Sequence, residues 1–152
     1  GELLSQGVCV GLGTDGASSN NNLDMFDEMK FAALLQKVST LNPKLATADE
    51  VINMATFNGA NALGIEAGSI EVGKKADLIL VDTNHPNMTP MSNAISSNLV
   101  YSANGSNVDT TICNGKVLME GRKLLTVDEG HILSEAKRAI AEMKELREAE
   151  AE

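Results

Sequence analysis

Tryptophan is absent from this 152-residue chain, and aromatic residues of all kinds make up 3% of it. Any core must therefore be aliphatic. Seven methionines supply the flexible side chains that fill irregular gaps in such a core. Positive charge is also short. Twelve Lys and Arg against 21 Asp and Glu leave a formal net charge of −9, and no basic stripe with interleaved aromatics occurs. An acidic surface repels phosphate, which excludes nucleic acid and anionic membranes as partners. No apolar run approaches the roughly 20 residues of a membrane span, and residues 1–20 do not follow the pattern of a secretory leader. The two cysteines, Cys9 and Cys113, form no paired motif. They read as free thiols of a reduced, cytoplasmic protein, acting as small hydrophobes in apolar surroundings. There are only two histidines, His85 and His131, with neither His-x-His nor His-Glu-x-x-His spacing. Each reads as structural or solvent-facing, because a metal site needs spaced partners.

What is present fits one globular domain: 43% of residues are hydrophobic and 22% charged. Glu2-Leu3-Leu4-Ser5-Gln6-Gly7 reads as the last turn of a helix closing on glycine, the start expected of a piece of a longer polypeptide. Residues 7–15 are apolar without alternation, which predicts a strand buried on both faces. A helix is predicted from Asp24 to Thr40, stopped by Asn42-Pro43. Its stripe of Phe26, Met29, Phe31, Ala33, Leu34, Leu35 and Val38 is wide enough to predict burial on more than one side. Thr47-Ala48-Asp49-Glu50 is a capping box opening another helix. Asn58 to Gly64 reads as a short one.

The character changes between Gly64 and Gly68. Residues 68–77 are turn-rich, and Asp77 to Asp82 read as a strand. Residues 95–103 suit helix or strand equally. Asn114-Gly115 between two apolar runs predicts a two-residue hairpin, since both turn positions need positive φ. Gly121-Arg122 starts a second turn, and residues 123–125 can add an edge strand. Ile132, Leu133, Ala136, Ile140, Met143 and Leu146 recur at helical spacing in a terminal helix capped by Thr126 or Asp128. The polar residues beyond Leu146 are expected to fray.

Asp15 carries the chemistry. It ends the strand-like run and precedes Gly16-Ala17-Ser18-Ser19-Asn20-Asn21-Asn22. Two readings stand. Asp15 caps the following turn by accepting from the backbone amide two residues on, or it is a metal ligand at the carboxyl end of a barrel strand. A catalytic zinc takes about three protein ligands, and this chain offers no such set. The Ser18 to Asn22 loop reads first as short side chains satisfying loop and helix-start amides. Ser18 and Ser19 have no nucleophile-elbow context. Gly11-x-Gly13-x-x-Gly16 has the spacing of a dinucleotide fingerprint, but the run lies inside the predicted strand rather than after it, which rejects that reading.

Three stretches together resemble one family. Gly13-Thr14-Asp15-Gly16-Ala17-Ser18-Ser19-Asn20-Asn21 resembles the eighth-strand motif of the amidohydrolase superfamily. The likeness is nearest to its 5′-methylthioadenosine/S-adenosylhomocysteine deaminase and chlorohydrolase branch. Ala55-Thr56-x-Asn58-Gly59-Ala60-x-Ala62-Leu63-Gly64 is similar to the helix that follows. Gly68-x-Ile70-x-x-Gly73-x-x-Ala76-Asp77-Leu78-Ile79-Leu80-Val81-Asp82 is similar to the return from barrel to small β domain.

The resemblance implies an α/β plus β chain. Residues 1–65 would be the last strand and helices of a (β/α)₈ barrel, residues 66–125 the C-terminal part of a small composite β-sandwich, and residues 126–152 a C-terminal helix. It implies a metal-dependent aminohydrolase that deaminates methylthioadenosine, S-adenosylhomocysteine or 5′-deoxyadenosine, a small-molecule substrate, by metal-activated water. Asp15 is the one site residue carried over, as metal ligand and as catalytic proton carrier. The metal would be divalent, zinc ahead of iron or manganese, and not held by this piece alone. The other ligands would lie upstream, and the piece itself would be inactive. Substrate-binding residues are not identified. A non-catalytic β-domain or assembly module, or an aminohydrolase or chlorohydrolase of another aminated heterocycle, is the competing reading.

A buried-type strand without neighbours should expose unpaired edges. The isolated chain is therefore expected to form homo-oligomers, to associate with the upstream portion, or to leave residues 1–20 poorly ordered. A clean monomer on sedimentation, with residues 7–15 protected from hydrogen exchange, would contradict this.

Overall fold

The computed structural model describes residues 1–91 and 93–150. Seven helices and four strands follow one another, with a short 3₁₀ turn at Pro86–Met88 and another at Gly105–Asn107. The helical part comprises α1 (Glu2–Ser5), α2 (Ala17–Asn20), α3 (Met25–Thr40), α4 (Ala48–Ala55) and α5 (Phe57–Ala62). Then come β1 (Leu78–Val81), α6 (Ile95–Tyr101), β2 (Val108–Cys113), β3 (Lys116–Glu120), β4 (Lys123–Leu124) and α7 (Glu129–Glu150).

Helix α3 starts where the sequence placed it because Asp24 is its N-cap, accepting from the amide of Phe26 at 2.9 Å. Helix α4 opens on the complete capping box. The Glu50 amide donates to Thr47 Oγ1, and the Thr47 amide donates to Glu50 Oε2 at 2.7 Å. The ambiguous stretch 95–103 resolves as helix α6. Asn114 (φ 48°) and Gly115 (φ 78°) both adopt the positive φ that the β2–β3 hairpin requires. The sheet is wholly antiparallel in the order β1-β2-β3-β4. Asp128 caps α7, accepting from the His131 amide at 3.0 Å. Beyond Leu146 the helix continues to Glu150 rather than fraying, and residues 151 and 152 of the expected 126–152 helix lie outside the described residues.

One core cluster holds the fold. Phe26, Met29 and Ala33 of α3 meet Val51 of α4, Ala46, Met88 of the 3₁₀ turn, Val100 of α6 and Ala103. Val81 of β1 and Val108 of β2 pack against it from the sheet side. Apart from Phe26 the core is aliphatic, with Met29 and Met88 inside it, in keeping with the scarcity of aromatics. It draws on residues from both sides of the composition change at Gly64–Gly68.

Three expectations are corrected. Residues 7–15 form no strand: they carry no regular secondary structure, and Val8, Cys9, Gly11, Gly13 and Asp15 are exposed. The cause is geometric, since a strand exists only through ladder bonds to a neighbour and the sheet of this chain lies elsewhere in sequence. Helix α3 is buried on one side only, with Phe31, Leu34, Leu35 and Val38 exposed. Cys9 and Cys113 are free, as expected, but exposed rather than buried.

The turn-rich link is tight at Gly68, whose φ is +82°. A Cβ there would lie 2.8 Å from both Phe57 Cα and Thr56 O, so α5 and the link touch backbone to backbone. Gly68→Ala is expected to destabilise the chain by about 1–3 kcal/mol, from positive φ and the clash together. Urea unfolding of the two proteins checks it; an unchanged midpoint would refute the close approach.

Candidate functional site

The segment leading to Asp15 is moored on α4 and α5 instead of on a sheet. The Leu12 amide donates to Met54 O at 2.9 Å, at the end of α4. Asn58 Nδ2 donates to Val10 O at 3.1 Å, and the Cys9 thiol lies 3.5 Å from Asn58 O. Backbone groups that would otherwise pair in a ladder thus find partners in the helical layer. Asn58 belongs to the motif stretch 55–64, so that stretch holds the run that leads into the stretch 13–21.

Asp15 sits where this segment turns into α2. Its backbone is left-handed, φ 56°, a conformation that Asp tolerates better than most residues. Oδ1 accepts from the Gly16 amide at 2.6 Å, and Thr14 Oγ1 donates to the Asp15 carbonyl at 3.2 Å. The second carboxylate oxygen has no protein partner among the described residues, and the side chain is solvent-exposed. The bond is to the next residue's amide, not to one two residues on, and α2 has no side-chain cap, so the expected turn cap is not formed; the open oxygen leaves the carboxylate able to take a cation or a proton.

The polar loop after Asp15 is tied to the first turn of α3. Asn20 Nδ2 donates to Thr14 O at 2.9 Å and also to Glu28 Oε1. Asn22 Nδ2 donates to Asp27 Oδ2 at 3.0 Å, while its Oδ1 accepts from the Asp24 amide at 3.3 Å. Asp24 in turn uses Oδ2 to accept from the Gly105 amide at 2.7 Å. One carboxylate therefore caps α3 and grips the turn before β2. Asn22 satisfies one backbone amide, that of Asp24, and Asn20 a loop carbonyl, and both also bridge to carboxylates. Sequence reasoning passed over Glu28 and Asp24 in this role. Asp24 carried a signal, an Asp immediately before an apolar helical period. Glu28 carried none, because its partner lies eight positions away across a loop.

A metal is not completed by these residues. Among the described residues no group of three or more His, Cys, Asp or Glu side chains is placed to share an ion. His85 precedes the Pro86–Met88 turn and His131 lies in α7, so neither joins Asp15. A carboxylate oxygen has the right donor chemistry for zinc, but one donor where about three are needed does not make a site. Away from Asp15, the Glu71 carboxyl is held below its ordinary range, first by a hydrogen bond from the Ser69 hydroxyl at 2.6 Å and then by Lys74 at 3.3 Å. That cluster stiffens the surface turn.

Known proteins bear on this geometry. The amidohydrolase family pattern matches residues 1–118. The chain is 62% identical over 146 residues to a 5′-deoxyadenosine deaminase of Methanobrevibacter smithii, covering 95% of this chain and 34% of that protein. It is 60% identical over 122 residues to a 5-methylthioadenosine/S-adenosylhomocysteine deaminase of Thermococcus onnurineus, covering 80% of this chain and 28% of that one. Among solved structures, an adenosine deaminase from Xanthomonas campestris with bound zinc superposes with a TM-score of 0.89 at 35% identity, over 93% of this chain and 33% of that one. Atrazine chlorohydrolase from Arthrobacter aurescens complexed with zinc gives 0.80 at 27% identity, over 90% and 31%. The chain spans about a third of the length of the relatives it matches.

Asn20→Ala removes the bond that holds the Thr14 carbonyl. Amide exchange of residues 14–20 is expected to quicken by up to about tenfold, the factor that the loss of ~1.4 kcal/mol brings. Exchange followed by mass spectrometry tests it; unchanged protection across 14–20 would show that the bridge does not hold the loop.

Proposed function

Because the chain belongs to the amidohydrolase family, we propose that it is the C-terminal third of a metal-dependent aminohydrolase that deaminates an adenosine derivative. The substrate class is 5′-deoxyadenosine, methylthioadenosine or S-adenosylhomocysteine. The reaction replaces the ring amino group by oxygen from water and releases ammonia. In this reading residues 1–65 close a (β/α)₈ barrel, residues 66–125 are the C-terminal share of a composite β-sandwich, and residues 126–152 append a helix. Residues 7–15 become a strand once the preceding strands of the longer protein lie beside them.

The observation that carries the reading is the 62% identity to a 5′-deoxyadenosine deaminase over 146 residues, a span that includes Asp15 and the loop behind it. The 27% identity to the chlorohydrolase supports triazine chemistry far less. The exposed carboxylate of Asp15, with one oxygen satisfied by Gly16 and one open, supports its assignment as a ligand and proton carrier. A divalent cation, zinc ahead of iron or manganese, supplies Lewis-acid activation of water in such enzymes; Asp15 is the single ligand this chain contributes. Its own task is to accept a proton from the attacking water and return it to the departing nitrogen. The Gly16 amide holds the carboxylate for that transfer, and Asn20 holds the backbone before it through the Thr14 carbonyl.

In the full-length protein, Asp15→Asn is expected to lower kcat for 5′-deoxyadenosine by about 10²–10⁴-fold, the range of a positioned acid–base group. Ammonia release, with circular dichroism to verify folding, measures it. The 152-residue chain alone should release none. Full activity in the folded Asn variant would remove Asp15 from the mechanism, and an inactive full-length wild type would favour the non-catalytic module.

A further inference from the structure

Among the described residues, helix α7 leaves its apolar face exposed along its length. Its 22 residues span about 33 Å at ~1.5 Å per residue, and no extensive packing joins it to another element. Ile132, Leu133, Ile140, Met143 and Leu146 are each between 49% and 65% exposed. Most helical stability in proteins comes from packing an amphipathic face, not from propensity. The stripe is therefore built for a partner. It also lies past residue 118, where the family pattern ends.

The rims of the stripe identify that partner. On a helix of ~3.6 residues per turn, Ala136 and Met143 run down the middle of the stripe. Leu133 and Ile140 flank them on one side, and Ile132, Ala139 and Leu146 on the other. Lys137 and Lys144 border the first side; Glu135 and Glu142 border the second. Arg147 closes the stripe at its C-terminal end. One rim is thus positive and the other negative. If two such helices face each other related by a two-fold axis parallel to them, each positive rim meets the other copy's negative rim. If the axis runs perpendicular, making the helices antiparallel, Lys meets Lys and Glu meets Glu, which is destabilising. Glu135 and Glu142 already pair with Arg138 behind them, at 2.5 and 3.7 Å, but both side chains remain exposed and exposed pairs exchange easily.

We propose that the α7 stripe is the docking surface for α7 of a second copy of this chain, the two helices running parallel, with apolar side chains between them and Lys137 and Lys144 beside Glu135 and Glu142 of the other copy. The apolar stripe supplies the attraction and the rims set the orientation. The inference stands on α7 alone and is independent of the proposed chemistry.

The test uses the full 152-residue chain with Cys9→Ser and Cys113→Ser to remove the native thiols. Ala136→Cys is then oxidised. A parallel pair places position 136 against itself and is expected to yield a disulfide-linked dimer; failure to cross-link overturns the parallel arrangement. Ile140→Glu is expected to weaken self-association by at least about tenfold on sedimentation. Lys137→Glu with Lys144→Glu should weaken it as well, and adding Glu135→Lys with Glu142→Lys should restore it, since the rims then exchange signs. A monomeric parent chain, association indifferent to Ile140→Glu, or no rescue by the four-residue exchange would each overturn the proposal.

Discussion

The molecule depends on the seam where α3 and α4 close over Met88 and Val100. Phe26, Met29 and Ala33 fill one wall, Val51 the other, and Val81 and Val108 bring the sheet against them. Met88 and Val100 have no exposed surface at all. With so few aromatics, no single large side chain can anchor the interior. The core works instead by converging short aliphatic groups from separate elements on two flexible methionines. Because those elements come from both halves of the chain, the helical layer and the sheet cannot loosen independently at this seam.

Polar contacts extend the same coupling to the site. Asp24 caps α3 with one oxygen and grips the amide of Gly105, next to β2, with the other. The first turn of α3 then holds the loop after Asp15 through Glu28 and Asp27. The chain of dependence runs from core to α3, from α3 to the asparagine loop, and from the loop to the backbone on either side of Asp15. Buried Asn107 does a similar task elsewhere. It pairs with Asn87 and caps the preceding turn, so that its burial leaves no polar atom unsatisfied.

Much of this was legible in the residues. The capping box at Thr47, the Asn114-Gly115 turn and the period of α3 and α7 are local signals, and each element formed where its signal lay. The family likeness was legible for the same reason: the runs 13–21, 55–64 and 68–82 carry identity and spacing in order. The run 7–15 misled because an apolar composition describes what a segment needs, not whether this chain supplies it. No ladder partner is present, so the segment binds α4 and α5 instead. The wide stripe of α3 misled in the same way, since only the Phe26–Met29–Ala33 side finds a surface to meet.

The sequence by itself determined the elements, their caps and turns, the aliphatic character of the core and the membership of Asp15 in a recognisable motif, because these rest on interactions within a few residues of chain. Only the tertiary structure decided what each element packs against: which face of α3 is covered, that the α7 stripe stays exposed, that Asn20 reaches Glu28, and that the Asp15 carboxylate keeps one oxygen open. Those outcomes depend on contacts between residues distant in sequence, whose partners no local pattern encodes.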